Sequence, residues 1–220
     1  MKPIVADEEA MVQIPVSKVT LNGNLTIPPN AKGIVVFAHG SGSSRFSPRN
    51  IRVAKDINQA GIAILLIDLL TAEEEKIDES TGEFRFNIDL LAERVVEATQ
   101  WLKKNPATQH LAVGYFGAST GAAAALMAAA KLPELVKAVV SRGGRPDLAA
   151  EYLPQVKVPT LLIVGGNDSV VIELNREAMK RMVSEKRLEI VPGATHLFEE
   201  PGKLEHVSAL AVNWFSKYLS

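Results

Sequence analysis

Residues 111–133 read L-A-V-G-Y-F-G-A-S-T-G-A-A-A-A-L-M-A-A-A-K-L-P, and this stretch decides the fold. Leu111 to Phe116 is an apolar run of strand length, and Thr120 to Leu132 is an alanine-rich run of helix length. G-A-S-T-G joins them with no room for a loop, and Pro133 stops the helix. So abrupt a junction predicts a sharp, strained turn at Ser119, where Gly117 and Gly121 lack the β-carbons that would clash as helix and strand approach. Ser119 is thereby held out at the end of its strand. The N–H of Thr120 falls at a helix start, where it has no partner within the helix.

Outward from this junction the chain alternates strand and helix. Met11 to Val16 and Val19 to Ile27 show period-two alternation around Asn22-Gly23-Asn24 and predict two opening strands. Gly33 to Ala38 is a continuous apolar run, as in a strand buried on both faces, and it ends in His39-Gly40-Ser41-Gly42-Ser43-Ser44. Ser47 and Pro48 suit the cap and first position of a helix ending near Ala60. Ile62 to Leu70 predicts a further buried strand, Thr71 to Phe86 an acidic, solvated excursion, and Asn87 to Lys104 a helix. Strands at Val136 to Val140, Thr160 to Val164 and Arg187 to Val191 follow the central junction, with helices near Val171 to Val183 and Lys203 to Tyr218. The pattern predicts an α/β fold: a mostly parallel, eight-stranded sheet wrapped by helices on both faces, with ligands bound beyond the carboxyl ends of its strands. Length and composition mark no linker, so residues 1–220 read as a single domain.

Serine becomes a nucleophile when a base takes its proton and an acid fixes the base's tautomer. Of the four histidines, His196 follows the last strand in a glycine-containing loop at the sheet's carboxyl end, where a base can reach Ser119. His110 begins the central strand at the wrong end, and His206 sits inside the closing helix. Asp168 ends an apolar strand directly and is the preferred acid; Asp147, displaced by Arg-Gly-Gly-Arg-Pro, is the alternative and suits a helix cap. The order serine, aspartate, histidine is that of the α/β-hydrolases.

On H-G-S-G-S-S at His39–Ser44, G-A-S-T-G at Gly117–Gly121, G-G-N-D at Gly165–Asp168 and G-A-T-H at Gly193–His196, the chain resembles the α/β-hydrolase superfamily. Within it, the chain is similar to the small, lidless dienelactone hydrolase-like group. The resemblance implies an α/β-hydrolase fold with Ser119, Asp168 and His196 as catalytic triad. It also implies an oxyanion hole of backbone N–H groups from Thr120 and Ser41, with Gly42 as the alternative second donor. His39 reads as a structural residue of that loop. Nineteen residues separate Val140 from Thr160, where lids of this superfamily usually sit: enough for one short helix and no cap domain. Dienelactone hydrolase itself uses a cysteine nucleophile; this chain has no cysteine, which favours a serine esterase acting on carboxylic esters. Thioester or peptide cleavage would use the same parts, and a non-catalytic binding protein on the same fold is the reading from another class. Arg45, Arg142 and Arg145 lie near strand ends that flank Ser119 and are candidates to bind a substrate carboxylate, against the alternative of solvated rim arginines.

Composition narrows the partners. With 24 basic and 25 acidic residues and no basic block, the chain offers no footprint for nucleic acid or an anionic membrane, so a small-molecule partner is expected, which the resemblance implies is an ester. No cofactor or metal is implied. Absence of cysteine suits a reducing compartment, and cytoplasm is the expectation. The opening residues, with Asp7, Glu8 and Glu9, contain no apolar stretch of signal-peptide length. Nothing in the sequence speaks to oligomeric state.

Overall fold

The computed structural model describes residues 9–219, so Asp7 and Glu8 of the acidic opening lie outside the described residues. Eight strands alternate with six helices along the described chain. In order they are β1 (Ala10–Val16), β2 (Val19–Thr26), β3 (Gly33–Ala38), α1 (Pro48–Gln59), β4 (Ala63–Ile67), α2 (Ala72–Thr81), α3 (Ile88–Lys104) and β5 (Ala112–Ala118). There follow α4 (Thr120–Lys131), β6 (Val136–Arg142), β7 (Thr160–Gly165), α5 (Ser169–Arg181), β8 (Lys186–Val191) and α6 (Lys203–Tyr218). The strands form one sheet in the order β1-β2-β4-β3-β5-β6-β7-β8. Only the β1–β2 and β2–β4 pairings are antiparallel; from β4 to β8 the ladder is parallel. This is the α/β-hydrolase fold. No described helix is long and apolar enough to cross a membrane.

The central strands β3, β4 and β7 are buried along their whole length, which is why their sequences are apolar without alternation. Helices α3 and α4 cover one face, sharing a core that includes Leu91, Val95, Tyr115 and the alanines of α4. Helices α1 and α6 cover the other, around Phe37, Phe116, Val207 and Phe215. Small side chains on α4 let it lie close to the sheet, and this closeness brings its N-terminus directly to the end of β5.

Strand bounds shift by up to three residues, as at β4, which ends at Ile67 rather than Leu70, and three departures bear most on the site. The predicted excursion at Thr71 to Phe86 is instead built on the helix α2. Thr71 and Glu74 form a reciprocal capping box at its start, and Gly82 in the left-handed region ends it. Arg94 of α3 pairs with Glu74 and donates to the carbonyl of Leu69 at 2.5 Å, while Arg85 pairs with the buried Asp78, so this segment is pinned at both ends. Second, β6 runs two residues past Val140, because Ser141 and Arg142 pair with β5 on one side and β7 on the other. Third, the stretch between β6 and β7 holds two short 3-10 turns, Pro146–Ala149 and Leu153–Gln155, in place of one helix.

Candidate active site

Ser119 sits between β5 and α4 with φ +51° and ψ −121°, a conformation an L-residue holds only when its surroundings impose it. They do so through the backbone. Its N–H donates to the carbonyl of Arg142 at 3.2 Å, and its own carbonyl accepts from the N–H groups of Ala122 and Arg145, each at 3.1 Å. The approach of α4 also requires glycine. A β-carbon at Gly121 would collide with the carbonyls of Ala38 and His39, and one at Gly117 with the backbone of Ala122. The Ser119 side chain makes no capping bond to the helix it opens.

Asp168 and His196 arrive from neighbouring loops. Parallel pairing of β7 with β8 sets Gly165 opposite Val191, so the loops leaving these strands run side by side. They are stitched together by Gly166 N–H to Val191 O at 2.8 Å and Asn167 N–H to Ala194 O at 2.9 Å. The result is a 2.6 Å contact between Asp168 Oδ2 and His196 Nδ1. Asp147 is engaged elsewhere, taking both Nε and Nη2 of Arg145.

His196 and Ser119 line one cavity of about 260 Å³, together with Ser41, Arg49, Asn50 and Arg142. A second cavity of about 340 Å³ shares Gly40, Ser41 and Ser43 as a wall and extends over Leu69 and Leu91 toward Glu75 and Arg85. Of the three arginines singled out from sequence, Arg142 alone faces Ser119. Arg45 is turned to Asp68 and Asn24 and stacks on Phe46, and Arg145 is bidentate on Asp147. Arg142 is 6% exposed. Its Nη2 donates to Asn50 Oδ1 at 3.2 Å and its Nε has no partner. Burial, and then repulsion from Arg49, pushes its pKa down to about 10, so it remains a cation near neutral pH. Arg49 was not anticipated. Its position in the first turn of the helix leaving the loop after β3 is the signal in the sequence, since that turn begins at the carboxyl edge of the sheet.

The loop after β3 is held by His39. Its Nε2 accepts the N–H of Leu69 at 2.9 Å, and its Nδ1 lies 2.9 Å from the carbonyl of Gly40, an arrangement that requires the neutral ring. Burial lowers the His39 pKa, opposed by the Gly40 bond and the nearby Asp68. At Ser41 the backbone N–H donates to Thr120 Oγ1 at 2.9 Å, linking this loop to the first residue of α4. Among the described residues, no group of three or more histidine or carboxylate side chains is arranged to hold a metal ion.

The model of the dienelactone hydrolase family matches residues 21–218. The crystal structure of dienelactone hydrolase from Anabaena variabilis superposes with a TM-score of 0.96 at 62% identity, over 97% of this chain and 99% of that one. Est1E from Butyrivibrio proteoclasticus shares the fold at 16% identity, with a TM-score of 0.79 over 94% of this chain and 98% of that one. A putative phosphoribosyl transferase of Mycobacterium tuberculosis is 55% identical over 217 residues, which is 99% of this chain and 48% of the relative. This chain thus spans about half the length of the mycobacterial relatives it matches.

Proposed function

This chain belongs to the dienelactone hydrolase family, and on that premise we propose that it is a serine hydrolase that cleaves carboxylic esters through an acyl-enzyme. Ser119 Oγ attacks the ester carbonyl as His196 takes its proton. Asp168 holds the imidazole in the tautomer that leaves Nε2 free to act, and it stabilises the imidazolium that forms. The N–H of Thr120 at the start of α4, with the loop at Ser41, stabilises the oxyanion. His196 returns the proton to the leaving alcohol, and water then hydrolyses the acyl-serine by the same steps. The observation that carries this reading is the 2.6 Å Asp168–His196 pair beside the cavity that Ser119 lines.

Within that reading, Arg142 binds an anionic group on the acyl part of the substrate, with Arg49 beside it. Support comes from its burial, its unpartnered Nε and its position in the same cavity as Ser119. A buried guanidinium with donors to spare favours a carboxylate that can accept from it. The transferase name of the mycobacterial relatives belongs to proteins about twice as long. We assign it to the half this chain does not match, because the shared half is the part the hydrolase family covers.

The test is covalent. A fluorophosphonate probe should label the folded protein, Ser119→Ala should abolish the labelling, and short and medium acyl esters should be hydrolysed. A folded wild-type protein that takes up no probe would instead be a binding protein on this fold.

A further inference from the structure

We infer that the side-chain hydroxyl of Thr120 is itself an oxyanion donor, held in place by the backbone N–H of Ser41; the inference rests on the serine-hydrolase reading. The amide of Ser41 has one hydrogen, and in this structure it is committed to Thr120 Oγ1 at 2.9 Å. A hydroxyl accepts through two lone pairs and donates one proton. Among the described residues the bond from Ser41 is the only one to this hydroxyl, so its proton has no acceptor. Thr120 is 4% exposed, which keeps bulk water from claiming that proton. The amide that grips Oγ1 belongs to Ser41, which lines the Ser119 cavity, so the hydroxyl lies one hydrogen bond from a residue of that wall and on the residue next to Ser119.

Thr120 therefore carries two donors, its backbone N–H at the helix start and its hydroxyl three bonds away. When Ser119 Oγ bonds to the carbonyl carbon, its proton passes to His196 and the carbonyl π pair moves onto oxygen. That oxygen accepts from both Thr120 groups. On collapse the pair re-forms the carbonyl and the alcohol leaves with the proton from His196, while the threonine keeps its own proton throughout. Donation from Ser41 into Oγ1 polarises the O–H, and an O–H facing a charged oxygen makes a short, strong hydrogen bond. Ser41 then contributes through Thr120 and need not reach the oxyanion itself. An alanine or leucine in the fourth place of G-A-S-T-G would supply the backbone N–H alone.

The experiment is Thr120→Val, which keeps shape and backbone N–H, removes the hydroxyl and frees the Ser41 amide. Rates are measured on an ester and on its thionoester, whose developing negative charge sits on sulfur, a poor hydrogen-bond acceptor. For the ester, kcat should fall about 100-fold with little change in KM. The thionoester should lose much less, and Thr120→Ser should recover most of the ester rate. Thr120→Ala repeats the comparison if the valine variant does not fold. A valine variant as fast as wild type or faster would overturn the proposal, because the freed Ser41 amide then suffices. Equal losses on both substrates would overturn it too, by making the hydroxyl a structural group. Fluorophosphonate labelling of the wild type separates these outcomes from failure of the parent reading, which would leave the wild type unlabelled.

Discussion

Asp168 Oδ2 lies 2.6 Å from His196 Nδ1, and the loops bearing the two residues are bonded to each other through their backbones. Orientation of the imidazole is thus set by the pairing of β7 with β8. Asp168→Asn keeps the shape but would favour the wrong tautomer, so kcat should drop by about three to four orders of magnitude. Asp147→Asn, at a carboxylate already occupied by Arg145, should leave kcat within about tenfold of wild type. Steady-state kinetics on one good ester decide the matter; the reverse ranking would move the acid to Asp147.

Arg142 gives a test of substrate class. An ester with a carboxylate on its acyl part should be preferred over its neutral isostere. Arg142→Ala should lower kcat/KM for the anionic ester selectively by about 10- to 100-fold, the worth of a hydrogen bond to a charged group. Equal losses on both esters, or no preference in wild type, would remove the anion contact.

His39 predicts a pH dependence of stability. Burial holds its folded pKa below the unfolded value, so between the two the unfolded chain binds more protons and stability rises with pH. This contribution is complete above about pH 6.5 and is lost as pH falls toward the lowered folded pKa. Urea unfolding at several pH values should show that fall in wild type and a shallower one in His39→Gln. Matching slopes would refute the assignment.

The segment over the second cavity should be stiff. Thr71→Ala removes one side of the capping box and should cost about 1 kcal/mol. Glu74→Ala should cost more, because it also strands the buried Arg94. Denaturant melts of both variants check the order, and hydrogen exchange across α2 should rise first in Glu74→Ala.

Legibility differed by scale. The strand–turn–helix at Ser119 could be read because glycine, serine and an alanine run constrain one short segment together. Asp168 and His196 could be placed because strand ends in a parallel sheet gather at one edge. Helix α2 was hidden by its acidic, glycine-punctuated composition, although Thr71-Ala-Glu-Glu74 is a capping-box pattern and was there to be used. The arginines could not be sorted from sequence. Arg45 meets Asp68 and Arg142 meets Asn50 across folds of the chain, and such long-range partners decide which cation remains free for a ligand.

The bond from Ser119 N–H to the carbonyl of Arg142 bears on how this scaffold can diversify. Strand β6 supports Ser119 through its main chain, while its side chain at the same residue lines the cavity. Replacing that side chain would change the lining of the cavity and leave the peptide group that steadies Ser119 in place. On the proposed reading, selectivity can therefore drift at position 142 from one descendant to the next without disturbing the turn that holds Ser119.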